Sequence, residues 1–334
     1  MGSAPQYRRA GDGGGRRAGR WRRAVLAALV TGAVVVPLSG AVRPQTPAPA
    51  PASLAPLTAS TLDEAYAANR ANAAEAARTA AAHHDRDRAA TDRRLAAQGR
   101  HLLRFDGRGS GRVTEVFGDL ARADRIAVLV PGSDTSLDTY GRFHAAAAAL
   151  HRQLDRQAPA GTRTAVVAWL GYETPGTVST TVTTTGRAEQ AAPRLRALVA
   201  DLRAIAGAGP RISLLCHSYG SVVCGRAAAG LAVDDIALVG SPGTGADTAA
   251  GLHTRARVWA ARGGDDWVEN VPHIDLDLFG TTVGFGTDPV TPAFGARVFT
   301  AGDGGHSDYF RPGSASLTNL ARIVLGETKA VTHD

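Results

Sequence analysis

From residue 126 onward, short unbroken apolar runs alternate with helix-length amphipathic or alanine-rich stretches. The runs are Ile126–Val130, Ala165–Leu170, Ile212–Cys216, Ile236–Val239, Val258–Ala260 and Arg297–Thr300, and the longest intervening stretches are Gly141–Asp155 and Arg187–Ile205. A strand without in-out alternation has both faces away from water, as in a parallel sheet covered by helices on each side. The pattern therefore predicts a doubly wound α/β domain with a mostly parallel sheet, its chemistry at the carboxyl ends of the strands. Ahead of it, His101–Asp106 and Arg112–Phe117 alternate as strands do and are joined by the glycine-rich residues 107–111, which predicts a β-hairpin. Further upstream, Thr61 to Glu64 has the spacing of a capping box, and the alanine-rich stretch to about Gln98 predicts one long helix. His83, His84 and Asp85 lie within that stretch. Adjacent histidines point to different helix faces, so they predict a solvated surface and no metal site.

Composition and charge alter this picture mainly at the start of the chain. At 334 residues and 44% apolar content, the chain can bury one large core plus accessory segments. Residues 1–44 hold eight arginines against one acid, Asp12, so the whole net charge of +7 sits there and the remainder carries 29 basic and 29 acidic groups. That balance leaves no basic footprint for nucleic acid on the folded part. The basic head runs into the apolar stretch Ala24–Leu38 and then the small residues Ser39 to Ala41, the order of a secretory signal peptide over residues 1–41. Arg22 and Arg23 loosely fit twin-arginine export. An uncleaved anchor is the alternative, because the apolar stretch approaches the ~18 residues of a spanning helix. Either way the domain is expected outside the cytoplasm, secreted or held at the membrane or cell envelope by its N-terminus. The Pro/Ala alternation of residues 42–60 predicts a semi-rigid spacer, followed by an N-terminal helical segment at 61–100, the α/β domain at 101–327 and a tail at 328–334.

Candidate chemistry centres on residues 216–220, Cys-His-Ser-Tyr-Gly, between an apolar strand and a helix-forming stretch. A serine on a sharp strand-to-helix turn, with small residues two before and two after it, matches the nucleophile elbow of hydrolases except for Cys216 in place of the first glycine. An acid and a base must follow it. The strand ending near Ala261 runs into Gly263, Gly264, Asp265 and Asp266, with Asp266 favoured as the acid and Asp265 the runner-up. Of ten histidines, His306 alone follows a late strand in a glycine-rich loop downstream of the acid, giving the order Ser218, Asp266, His306. His273 could compete for the base role, and His217 reads as a packed structural residue. The oxyanion donors expected are the backbone N–H groups of Tyr219 and of Ser133, in the tight turn after Ile126–Val130. Tyr172, Trp267, Phe279, Phe285 and Phe294 offer an apolar acyl pocket or serve as loop anchors. Cys216 and Cys224 are the only cysteines; in an oxidising compartment they either pair or remain two buried small hydrophobes. Only one lysine exists, Lys329, which excludes a phosphate-binding P-loop. The chemistry calls for no metal and no organic cofactor.

The stretches VLVPGSDTSLDTYG, AVVAWLGYETPG, CHSYGSVVCG, GSPGTG, PAFGARVFTAG and GGHSDYF resemble an uncharacterised actinobacterial α/β-hydrolase family, a domain of unknown function related in fold to esterases and lipases. The resemblance covers residues ~60 to ~325, including the YAANRANA stretch, with GGHSDYF and LVGSPG as its more specific segments. It implies Ser218 and His306 as catalytic residues and the Asp265/Asp266 loop as the acid. The expected activity is a secreted serine hydrolase acting on small-molecule or lipid acyl esters, like a carboxylesterase or lipase. A peptidase or amidase with the same residues, or a non-catalytic envelope binding module on the same fold, are the alternatives.

Overall fold

In the computed structural model, Gly2 and residues 46–176, 185–271, 276–278, 281–283 and 285–333 are described. The expected signal peptide, Phe279 and His273 lie outside them. Among the described residues no helix is long and apolar enough to cross a membrane.

The sheet has eight strands. In chain order its members are β1 (His101–Asp106), β2 (Arg112–Phe117), β3 (Arg125–Val130), β4 (Thr164–Leu170), β5 (Arg211–His217), β6 (Asp235–Val239), β7 (Arg257–Ala261) and, after the separate two-stranded β8 (Leu276–Leu278) and β9 (Thr281–Val283), β10 (Arg297–Val298). The spatial order is β1-β2-β4-β3-β5-β6-β7-β10. Everything from β4 to β10 is parallel, while β2 pairs antiparallel with β4. The hairpin that the sequence places ahead of the domain is thus fused to the sheet edge.

The central strands are buried on both sides, which explains their unbroken apolar runs. Ile126, Val128 and Leu214 point into one core, with Leu195, Leu198 and Leu202 of α4 (Gly186–Ala206) and Val222 and Val223 of α5 (Gly220–Ala227). Ala127, Leu129 and Leu215 point into the other, with Leu150 and Leu154 of α3 (Tyr140–Gln157) and Leu317 and Leu320 of α6 (Ala315–Leu325). Fully burying each such leucine is worth about 1.5–3 kcal/mol. The start of α6 is fixed by Ser314, whose Oγ accepts the Leu317 N–H at 3.1 Å, and its end by Gly326 in the left-handed region at φ 82°.

The N-terminal segment departs from expectation in two ways. The single long helix is two, α1 (Leu62–Ala82) and α2 (Arg86–Leu95), broken where His84 turns left-handed at φ 61° and Asp85 caps α2 by accepting the Arg88 N–H at 3.0 Å. Thr61 precedes α1 but makes no capping bond; its Oγ donates to Pro56 O at 2.8 Å. The second departure is in the Pro/Ala stretch expected to act as a spacer, which packs along these helices from Thr46 onward. Leu57 is buried, and Asn72 Nδ2 donates to Ala50 O at 2.6 Å.

Candidate active site

Four loops at the carboxyl ends of parallel strands build the site, and each is positioned by its strand. The chain leaves β5 and turns at Ser218, a non-glycine residue at φ 53°, before entering α5. The turn is tied down by Ser218 N–H donating to Val239 O at 3.0 Å and Ser221 N–H donating to Ser218 O at 2.8 Å. A left-handed serine is strained by roughly 1–3 kcal/mol and persists because its surroundings over-determine it. Gly220 is required here: a Cβ on it would lie 2.5 Å from Val130 O. Cys216, in the place of the other small residue, is joined by a disulfide to Cys224 of α5, with Cα atoms 6.4 Å apart. The bond ties the helix to the strand beneath the serine.

His306 reaches the serine from the loop between β10 and α6. Its Nε2 lies 2.9 Å from Ser218 Oγ and its Nδ1 lies 2.8 Å from Asp266 Oδ1, in the loop after β7. Asp266 is buried and also accepts the Val268 N–H at 2.9 Å and the Tyr309 hydroxyl at 2.5 Å. Burial pushes its carboxyl up, but the hydrogen bonds from His306, Tyr309 and Val268 outweigh it and hold the group below the ordinary carboxylate value. An ionised Asp266 takes a proton-bearing Nδ1, which leaves Nε2 of a neutral ring as acceptor for the serine hydroxyl. Asp265 is exposed and takes no part.

Two supports, Tyr309 and Gly240, were not legible in the sequence, while His217 is the packed structural residue expected. Tyr309 OH also accepts the Gly263 N–H at 2.9 Å, and burial and its bond to Asp266 push its phenol well up, so it stays a donor. Gly240, left-handed at φ 55°, passes so close that a Cβ would lie 2.8 Å from Asp266 Oδ2 and 3.2 Å from His306 Cε1. His217 Nε2 donates to His306 O at 2.7 Å, and loss of water and the neighbouring His306 lower its pKa to about 4, so it remains neutral. The signal for Tyr309 and Gly240 is contact between residues 26 or more positions apart, which no local pattern carries.

Ser218 and His306 open into a cavity of about 960 Å3. Trp267 and Phe285 line it; Trp267 is half exposed with its ring 4.5 Å from that of His306, and Phe285 meets Tyr219 edge-on at 5.8 Å. Tyr172 does not line it. Its ring stacks on Trp169 at 5.8 Å and its hydroxyl donates to Pro131 O at 2.6 Å, so it anchors the loop after β3. Phe294 is likewise buried in the core and away from the cavity. Gly132 and Ser133 also line the cavity, and the turn they form abuts the serine: a Cβ on Gly132 would lie 2.5 Å from Ser218 Cβ. The Ser133 N–H donates to no other described group. The wall that sequence reading missed is a face of α3, Arg142, Ala145, Ala146, Ala149 and Arg152.

Several known proteins are similar to this chain. The uncharacterized protein Rv2079 of Mycobacterium tuberculosis H37Rv and its counterpart MT2140 in strain CDC 1551 are each 30% identical over 264 residues, covering 68% of this chain. The chain spans 39% of the length of these relatives. Among solved structures, esterase PE8 is 18% identical with a TM-score of 0.41, covering 62% of this chain and 95% of that one. A lidless α/β serine hydrolase from Xanthomonas campestris is 17% identical with a TM-score of 0.41, covering 70% of this chain and 95% of that one. A family model described as alpha/beta hydrolase matches residues 106–276, from the hairpin through the serine turn and the Asp266 loop to β8. Since that match takes in just over half of the residues, the chain belongs to this α/β hydrolase family.

Proposed function

We propose that the chain is a serine hydrolase that cleaves carboxylic acyl esters outside the cytoplasm. The observation that carries this reading is the unbroken hydrogen-bonded line from Ser218 through His306 to the buried Asp266, opening on a cavity with apolar walls. His306 Nε2 takes the hydroxyl proton as Ser218 Oγ bonds to the acyl carbon, and Asp266 holds the ring and stabilises the imidazolium that forms. The negative charge then lies on the former carbonyl oxygen. Its donors are the N–H of Tyr219, at the start of α5, and the N–H of Ser133, in the turn that abuts the serine; one such donor is worth about 100- to 1,000-fold in rate. The C–O bond to the alcohol breaks as His306 returns the proton to the leaving oxygen. Water, deprotonated by the same ring, frees the acid and regenerates the serine.

Export through residues 1–41 belongs to the proposal and is supported by the Cys216–Cys224 bond, since such bonds persist mainly in oxidising compartments. The test of the chemistry is turnover of a graded p-nitrophenyl ester panel. Ser218→Ala is expected to lose at least roughly a thousandfold in kcat; turnover equal to the unsubstituted protein would refute the assignment.

A further inference from the structure

The cavity beside Ser218 is apolar along most of its wall yet carries three arginines: Arg142 and Arg152 on α3 and Arg311 in the loop after His306. Several arginines elsewhere on the domain are held by carboxylates, as Arg100 is by Glu115 and as Arg211 and Arg257 are by Asp235. Arg142, Arg152 and Arg311 differ. Each is exposed, and among the described residues none has a side-chain hydrogen bond or ion pair. The cavity also has two acids, Asp134 and Asp308, and Asp308 turns its Oδ2 to the Gly305 N–H at 3.0 Å. The wall is therefore cationic on balance.

Spacing along α3 gives this charge a shape. Residues 142, 145, 146, 149 and 152 fall on one helix face, and at 1.5 Å per residue the two arginines stand ~15 Å apart along the axis, with Phe143 and three alanines lining the cavity between them. An extended chain can lie in that trough while its far end meets a guanidinium. Such a planar fork pairs two-pronged with a phosphate or carboxylate and is wasted on a neutral ester.

Resting on the hydrolase reading above, we propose that the substrate is an acyl ester carrying an anionic group remote from the scissile carbonyl, recognised by Arg142, Arg152 and Arg311. Exposed charge pairs are weak, so the preference is a modest one, roughly tenfold.

The test uses two matched pairs of substrates: p-nitrophenyl hexanoate against mono-p-nitrophenyl adipate, which places the anion on the acyl side, and a monoacylglycerol against its phosphate, which places it on the alcohol side. The expected result is at least roughly tenfold higher kcat/KM for the charged member of one pair, and a collapse of that ratio in Arg142→Gln/Arg152→Gln. In the unsubstituted enzyme the ratio should also shrink as salt rises toward ~0.5 M, which needs no folded variant. Ratios near one in both pairs, or a ratio that survives the double substitution and salt, overturn the proposal while Ser218-dependent turnover of the neutral esters keeps the hydrolase reading intact. Absence of any Ser218-dependent turnover would instead remove the hydrolase reading and this one with it.

Discussion

Asp265 and Asp266 differ by one position and by their surroundings: the first faces water, while the second accepts three hydrogen bonds in a buried loop. Asp266→Asn should therefore lower kcat by roughly 1,000- to 10,000-fold through the wrong imidazole tautomer, whereas Asp265→Asn should stay close to the original rate. Steady-state kinetics on one activated ester decides between them. Tyr309→Phe removes one of the bonds that hold the Asp266 carboxyl down. A carboxyl depressed in the folded state contributes stability above its unfolded value, and loses that contribution as pH falls through the folded value. The substitution raises the folded value and narrows its gap from the unfolded one, so Asp266 should contribute less stability at neutral pH and less should be lost on acidification; an unchanged acid limb in thermal melts would contradict this. At this scale the sequence revealed the serine, the histidine and the acid loop because glycine-rich strand ends in the order Ser218, Asp266, His306 are local signals. Tyr309 and Gly240 escaped notice because their roles exist only where separate loops meet.

The elements follow the apolar runs closely, since two-sided burial writes itself into each strand. β1 and β2 have the limits that alternation predicts, and β10 ends two residues early. Pairing is another matter: nothing in Arg112–Phe117 says that its inner neighbour is β4, because partner choice is settled by the sheet as a whole. The break between α1 and α2 was also hidden, alanine propensity masking a cap at Asp85. One element-level prediction concerns the Cys216–Cys224 bond. It closes a short loop, for which chain entropy estimates about 2–3 kcal/mol. Cys216→Ala/Cys224→Ala should melt about 5 °C lower. Reductant should lower the melting point of the original protein and leave that of the variant unchanged; equal melting points would show that the bond contributes nothing.

Across the whole molecule, two buried groups titrate against each other. Burial raises the pKa of Asp92 in α2 to about 6 despite Arg88, so protonation favours the folded state as pH falls from ~6 to the ordinary ~4. His217 acts in the opposite sense. Its folded value near 4 lies below the ordinary ~6.5, so the unfolded chain binds the proton first and stability falls over nearly the same window. The contributions of Asp92 and His217 should nearly cancel between pH 4 and 6.5, so Asp92→Asn should steepen the loss of stability on acidification by the slope due to His217; a variant with the same slope as its parent in urea titrations would contradict the Asp92 shift. The cavity wall on α3 belongs to this scale too, since an alanine-rich helix reads the same whether it faces solvent or a serine. Whether Ser218 is an activated nucleophile is decided by intact-mass and peptide analysis after exposure to a fluorophosphonate. A single covalent adduct is expected on Ser218, and Ser218→Ala should abolish it. Folded protein that remains unlabelled, or carries the adduct on another residue, would contradict that role for Ser218.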